Sequence, residues 1–172
     1  MRLQEAVDRF APTRLVQVKV SNYVLESIRL VTQPELRNTK GYLTLSHCWG
    51  GANIIQLTKA TLGLFHTSIP TTGLPKNFSD ALKIVVWLGF EYIWIDSLCI
   101  IQDSDLDWQR ESQQMGRIYR HSQMTIAAVK SRDSHGGLFS KRDALSLVPC
   151  RITGGHQDEF AHVEYLSFAR IT

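Results

Sequence analysis

Hydrophobic and polar positions in the first part of this chain alternate with a period of two, which is typical of half-buried strands. Residues 14–20 show this pattern, residues 24–31 predict a second strand, and Ser21-Asn22 between them favours a turn, so we expect a hairpin or a small addition at the sheet edge. Three later runs are short and apolar, as expected for buried strands: 42–47, 91–96 and 124–129. The pattern therefore predicts a hairpin followed by a separate set of buried strands.

Two stretches between these strands show helical spacing instead. Pro75 opens the first, whose apolar positions recur every three or four residues, and Gly89 is a natural C-terminal stop. The second covers residues 107–119. Strands and helices that alternate from 42 to 129 predict an α/β fold, with a flavodoxin-like parallel sheet flanked by helices. Additional strands are expected at the two ends of the chain: the hairpin, 146–152 and 160–168.

One acidic residue lies on the predicted apolar face of the second helix. That face repeats at steps of three and four residues: Trp108, Glu111, Met115 and Ile118. A bare buried charge is expensive, so the carboxylate must be paired, hydrogen-bonded or open to a cleft. Two interpretations stay open. Glu111 is a site carboxylate with Trp108 as an apolar wall beside it, or it is a structural acid paired with an arginine.

Polar side chains follow the predicted strands at their carboxyl ends, where α/β folds bind ligands. They are Ser46, His47, Trp49 and Gly50 after the first buried strand, and Asp96 and Cys99 after the second. Each is either a binding group or a residue that satisfies its own loop. Further on, Arg142 and its basic neighbours flank Gly136-Gly137 and either meet phosphates or form a solvated loop.

Composition narrows the classes of function. The 172 residues fit one domain, 1–172. The net charge of +3 is small and the 19 Lys and Arg are spread out, so we expect no nucleic-acid partner. Three cysteines without a C-x-x-C pair favour a reduced, cytoplasmic protein and no structural zinc. No apolar run reaches the ~18 residues of a membrane span, and no metal site is expected.

Several of these stretches occur together in an order that resembles a known family. They are 42–50 (YLTLSHCWG), 74–81 (LPKNFSDA), 92–103 (YIWIDSLCIIQD), the helical positions Trp108, Glu111, Met115, Ile118 and Tyr119, and 137–139 (GLF). Together they resemble the fungal heterokaryon-incompatibility (HET) domain, and the resemblance covers roughly residues 14–142, which it implies to be the core of the single domain. Ordered blocks of this kind are far more specific than any single short motif.

The resemblance implies a role in fungal non-self recognition and innate immunity, in which the domain triggers programmed cell death. It also implies one module of a larger protein, here its N-terminal part, with self-association and contacts to other domains or incompatibility proteins. The HET domain has been compared with the TIR fold, whose enzymatic members cleave NAD⁺ with a helix-borne glutamate. Residues 107–111 (DWQRE) are similar to the stretch around that glutamate.

The resemblance thus implies hydrolysis of NAD⁺ as substrate, without a cofactor, and Glu111 as the catalytic residue. The expected substrate-binding residues are Ser46, His47, Trp49, Gly50, Asp96, Trp108 and Arg142. A non-enzymatic module that signals by homotypic assembly is the main alternative. A thiol hydrolase that uses Cys99 or Cys48 with His47 is a further one.

Overall fold

The structure is a computed structural model, and it describes residues 10–33, 41–51 and 54–139. All of these belong to Met1–Ser140, the first of two compact units into which the chain divides. The described residues contain five strands, β1 Arg14–Ser21, β2 Val24–Thr32, β3 Leu43–Ser46, β4 Tyr92–Trp94 and β5 Met124–Ala127. They also contain four helices, α1 Leu62–Thr67, α2 Lys76–Trp87, α3 Asp96–Cys99 and α4 Asp105–His121.

The predicted hairpin is confirmed as β1 and β2, which pair antiparallel from Arg14 opposite Thr32 to Ser21 opposite Val24. Its turn lies one residue later than predicted, at Asn22 and Tyr23. Both have positive φ, 51° and 62°. Two successive positive φ values define the tight turn whose twist matches that of paired strands. The hairpin joins the main sheet through β1, which pairs antiparallel with β4.

The remaining strands form the predicted parallel part of the sheet. In the full order β2-β1-β4-β3-β5, the central strand β3 pairs parallel with both β4 and β5. Along the chain these three strands have the order 2-1-3, which is how a flavodoxin-like sheet begins. The predicted α/β class is therefore confirmed, as a mixed five-stranded sheet within the described residues.

The crossover from β3 to β4 contains α2, the crossover from β4 to β5 contains α4, and the two run in opposite directions across the sheet. Right-handed crossovers that run in opposite directions place their helices on opposite faces of the sheet. Thr44 and Trp94 are register partners on the face of α4, where Trp94 packs against Tyr119 with ring centroids 5.7 Å apart. The apolar positions of α2 are buried: Phe78, Ala81, Leu82 and Val85. Helix α2 ends at Trp87, and the predicted stop residue Gly89 follows with a φ of 71°.

Three sequence predictions need correction. Only Ile126 of β5 is buried, so this strand is not the buried one expected; it forms an edge of the sheet as described. The strand predicted at 91–96 ends at Trp94, and Asp96 begins the short helix α3 instead. Trp108 lies 54% exposed, for reasons given below.

Some predictions fall outside the described residues, namely those on Arg142 and on the pieces 146–152 and 160–168. In the part of the chain that the structure describes, none of the helices combines the length and apolar character needed to cross a membrane.

Candidate functional site

The carboxyl ends of β3, β4 and β5 lie at one edge of the sheet because these strands are parallel. Strand β1 runs antiparallel to β4, so it begins at the same edge with Arg14. Among the described residues, two groups of interacting polar side chains occur here. We call them the Asp96 cluster (His47, Trp49, Asp96) and the Glu111 cluster (Arg14, Asp107, Arg110, Glu111).

The Asp96 cluster brings together three of the predicted substrate-binding residues. Asp96 accepts a hydrogen bond from the Ser97 backbone N–H at 2.7 Å through Oδ1. Its Oδ2 accepts one from the indole N–H of Trp49 at 2.8 Å. The Nδ1 atom of His47 lies 3.9 Å from Oδ1. These contacts join the loop after β3 to the start of α3. The sequence predicts this proximity because the two segments follow neighbouring strands.

The His47 ring is fully buried inside this cluster. Its neighbours are Phe78, edge-on with centroids 5.0 Å apart, and Trp49, nearly parallel at 6.5 Å. Within the described residues neither ring nitrogen has a hydrogen-bond partner. Burial lowers the pKa of His47, while the charge of Asp96 opposes that change. The imidazole is therefore in its neutral form at neutral pH.

Tyr119 of α4 reaches the same edge, and the sequence interpretation did not include it in the site. Its hydroxyl donates to the Leu45 carbonyl at 3.3 Å. Burial raises the pKa of Tyr119 to about 12, the charge of Asp96 adds to the rise, and a hydrogen bond with Ser46 opposes it. The predicted residue Ser46 is exposed at the end of β3. Ser46, Asp96 and Tyr119 thus interact across the ends of two strands.

Glu111 is buried, as its position on the apolar face predicts, with only 1% of its surface exposed. Its Oε1 accepts a hydrogen bond from Nε of Arg110 at 3.1 Å and lies 3.8 Å from the Arg14 guanidinium. The sequence left two interpretations of Glu111 open, and the structure shows the one in which the carboxylate pairs with an arginine. This pairing does not test whether Glu111 is catalytic, so its catalytic role stays a prediction.

The two arginines of the Glu111 cluster differ in how firmly they are held. The side chain of Arg14 is 7% exposed, pairs with the Asp107 carboxylate and donates to the Cys99 carbonyl at 2.6 Å. The side chain of Arg110 is 57% exposed and donates to Asp107 at 2.7 Å. Arg14 is therefore a buried, fixed counter-ion, whereas Arg110 reaches the same buried carboxylates from the solvent side.

Asp107 occupies the inward position that the sequence interpretation gave to Trp108. The buried residues of α4 are Asp107, Glu111 and Ile118, so Trp108 faces outward and is 54% exposed. The expected apolar wall of Trp108 beside Glu111 is therefore wrong. Burial raises the pKa of Asp107, but hydrogen bonds from Arg14 and the Ile101 N–H and the nearby arginine charges outweigh it, and the net pKa is lowered. An acid with such partners takes the inward position at less cost than an unpaired one.

Cys99 lies close enough to both clusters for their charges to act on it. Burial raises the pKa of its thiol to about 12, Arg14 lowers it, and Asp96 and Glu111 add to the rise. A thiol that stays protonated at neutral pH is the opposite of an activated nucleophile. This environment weighs against Cys99 as the nucleophile of a thiol hydrolase.

Gly50 has a structural reason for its residue type. Its φ is 63°, and an added Cβ would lie 2.8 Å from the Cα of Asp133 and 3.0 Å from the Arg132 carbonyl. In addition, the hydroxyl of Ser134 donates to the Cys48 carbonyl at 3.3 Å. The loop after β3 therefore packs directly against the loop after β5. Only glycine allows that approach at this position.

A second set of buried polar residues, on α2, holds the loop after β5. Asn77 accepts from the Gly137 N–H at 2.7 Å and donates to the Asp133 carbonyl at 3.0 Å. Asp80 accepts from the Leu138 N–H at 3.1 Å. Burial raises the pKa of Asp80, but hydrogen bonds, that of Lys76 first, outweigh it and lower the pKa. The stretches 74–81 and 137–139, far apart in the sequence, are thus in contact.

The fold and this edge define an α/β domain with charged and aromatic groups at the carboxyl ends of its parallel strands. Among the described residues no group of three or more His, Cys, Asp or Glu could hold a metal ion. A family model described as heterokaryon incompatibility protein (HET) matches residues 42–167. The chain therefore belongs to this family, which implies a role in heterokaryon incompatibility and cell death. The comparison with curated proteins gave no match, and neither did the comparison with solved structures.

Proposed function

We propose that this domain triggers cell death by hydrolysing NAD⁺ at the bond between nicotinamide and ribose, with Glu111 as the catalytic carboxylate. The observation that carries the proposal is the position of Glu111, a buried carboxylate near the edge where the parallel strands end, beside the half-exposed Arg110. The TIR-like chemistry expected from the sequence supplies the reaction. The remainder of the site supplies surfaces for the two halves of the dinucleotide.

The chemistry needs one well-placed carboxylate. Cleavage of the nicotinamide–ribose bond develops positive charge on the sugar, as in glycoside hydrolysis. A negative charge in a partly dry site stabilises that transition state without reorganisation. Nicotinamide leaves as a neutral base, so a strong general acid is not required. Glu111 fits this role because it is shielded from water and carries a charge that its surroundings compensate.

Arg110 has to leave Glu111 before the sugar can approach it. Its half-exposed side chain has room to move into solvent, and the pyridinium ring of NAD⁺ brings the positive charge that replaces it beside the buried carboxylate. Arg14 stays in place and keeps Asp107 from repelling the second carboxylate. Asp107 and Glu111 thus share one mobile counter-ion, Arg110, and one fixed counter-ion, Arg14.

The other predicted residues have supporting roles in the proposal. Trp49 and the exposed Trp108 offer aromatic surfaces for a ring, and Ser46 and Asp96 offer hydrogen-bond partners for ribose hydroxyls. Arg142, which is outside the described residues, would meet the pyrophosphate. Gly50 contributes by keeping the loop after β3 in place.

The test compares nicotinamide release from NAD⁺ by wild type and by Glu111→Gln. The amide keeps the shape and can still accept from Arg110, which limits the loss of stability. Asp105→Asn is the matched control because Asp105 is an exposed acid in the first turn of the same helix. We expect wild type and the control to release nicotinamide and Glu111→Gln to be slower by at least about a hundredfold. Equal rates in a folded Glu111→Gln protein would remove Glu111 from the mechanism.

A second candidate is a non-enzymatic module that signals by self-association. Two observations favour it. The first is that Glu111 forms an ion pair with Arg110. The second is an exposed apolar patch of Trp87, Leu88 and Phe139, 69%, 51% and 51% exposed, in which the Trp87 and Phe139 rings lie 5.5 Å apart. A patch of this kind often marks an interaction surface.

This candidate predicts concentration-dependent oligomers that Trp87→Lys dissolves, as measured by light scattering. Val129→Lys is its control, because Val129 is an exposed apolar residue at another position. If cell death persists in Glu111→Gln but is lost with the oligomers, assembly is the function and NAD⁺ hydrolysis is not.

A further inference from the structure

Three buried polar atoms beside Asp96 lack a hydrogen-bond partner in the described part of the chain. They are the two ring nitrogens of His47 and the hydroxyl of Ser97. Native proteins leave few such groups unpaired, and each one calls for an explanation, of which a catalytic role is one. A neutral imidazole with two free nitrogens is ready to accept one proton or one hydrogen bond from a ligand.

The Asp96 carboxylate could orient this imidazole, but it already accepts a hydrogen bond from another side chain. Oδ2 of Asp96 accepts the indole N–H of Trp49 at 2.8 Å, while Nδ1 of His47 stays 3.9 Å from Oδ1. That second distance is about 1 Å too long for a hydrogen bond. Catalytic hydrogen bonds are often long before substrate binds and tighten afterwards.

The side chain of Trp49 interacts with both His47 and Asp96. Its ring lies nearly parallel to the His47 ring, at an angle of 13°, and its N–H holds Asp96. Release of the indole from Asp96 would uncover the imidazole and free the carboxylate at the same time. Nδ1–H of His47 could then donate to Asp96, which leaves Nε2 as a proton acceptor, the arrangement by which a carboxylate orients a histidine base.

We propose that His47, oriented by Asp96, is the general base that takes the proton of the attacking water, and that Trp49 is the latch that covers it before substrate binds. This inference rests on the proposed hydrolysis of NAD⁺ and assigns the half of the reaction that Glu111 does not perform. Glu111 stabilises the sugar cation, and His47 activates the water.

The atoms balance without any further reactant. The electron pair of the broken C–N bond leaves with nicotinamide, and the water oxygen forms a bond to C1′ of the ribose. The water proton moves to Nε2 of His47 and from there to solvent. The products are ADP-ribose, nicotinamide and one proton. Burial lowers the pKa of His47 and so keeps the imidazole in the base form that this step needs.

The experiment measures nicotinamide release by wild type, His47→Ala and His135→Ala, with and without added imidazole. His135 is an exposed histidine in the loop after β5, so its replacement controls for the loss of a ring. A general base contributes about 10²–10⁴-fold, so His47→Ala should lose at least about a hundredfold in kcat. Added imidazole should restore part of that rate, and His135→Ala should match wild type.

Asp96→Asn gives a second readout that does not depend on the folding of His47→Ala. Among the described residues, the charged group that faces the imidazole is Asp96 from α3, whereas α2 contributes Phe78 and the loop after β3 contributes Trp49. The Asp96 charge raises the pKa of His47, so its removal should lower that pKa. The acidic limb of kcat/KM should therefore move to lower pH.

The outcomes separate the two proposals. Wild-type activity that falls in Glu111→Gln but stays unchanged in His47→Ala would overturn the assignment of His47 alone. An acidic limb that does not move in Asp96→Asn would overturn it as well. Wild type that releases no nicotinamide would overturn the proposed function, and the role of His47 with it.

Discussion

Replacement of Arg14 by methionine should strongly destabilise the domain. Arg14 is the buried counter-ion of Asp107, lies 3.8 Å from Glu111 and holds the Cys99 carbonyl. Methionine keeps much of the length and apolar volume but leaves two buried carboxylates with only the exposed Arg110. Removal of one partner from a buried ion pair costs about 3–5 kcal/mol. Because Arg110 still compensates part of the charge, we expect about 3 kcal/mol, against a total of about 5–15 kcal/mol for a typical domain.

The assay is urea denaturation of wild type, Arg14→Met and Arg120→Met. Arg120 is an exposed arginine in the last turn of α4, and its replacement should cost about 0.5 kcal/mol or less. The effect should also depend on pH. The pKa of Asp107 is lowered in the folded state, so its stabilisation is present above the unfolded pKa of about 3.9. It is lost as pH falls through the lowered value.

The difference between wild type and Arg14→Met should therefore be full at pH 7 and shrink below about pH 4. Arg14→Met and Arg120→Met with equal unfolding free energies at pH 7 would refute this account of the Glu111 cluster. A large difference that does not change with pH would show that packing, and not charge, is responsible.

Two further predictions concern the loops and the thiols. Gly50→Ala should destabilise by about 2 kcal/mol, since it combines a positive φ with a clash against Asp133, whereas Gly51→Ala, with open space around its Cβ, should cost about 1 kcal/mol. Thermal unfolding measures both, and equal losses would argue against the loop contact. In a Cys150→Ser background the exposed Cys48 should react with a thiol reagent at neutral pH, while the buried Cys99 should not until the protein unfolds. Mass spectrometry distinguishes the two, and labelling of native Cys99 would contradict its burial.

The sequence predicted the class of fold because local patterns were consistent with each other. Period-two alternation located the first strand of the hairpin, and strand–helix alternation indicated the parallel sheet that β3, β4 and β5 form. Side-chain pairing across long separations has no such local signal. Arg14 and Asp107 are 93 positions apart, and no pattern in the chain indicates that they meet.

The sequence predicted only part of the candidate site, because strand ends give a local signal and long-range side-chain pairs do not. Residues at strand ends share an edge by geometry, so the contact of Trp49 with Asp96 follows from the fold class. The inward face of α4 was assigned one residue out of phase at its start, because an indole is a more usual buried group than a carboxylate. Asp107 lies four positions before Glu111, so a helix phase with two inward acids was the signal that could have revealed the cluster.

The central claim of this account is that the domain hydrolyses NAD⁺ with the carboxylate of Glu111. The most direct measurement is nicotinamide release by purified wild type and Glu111→Gln at high protein concentration, with folding checked by thermal unfolding. We expect release by wild type and a loss of at least about a hundredfold in a folded Glu111→Gln protein. No release by wild type, or equal release by both proteins, would contradict it.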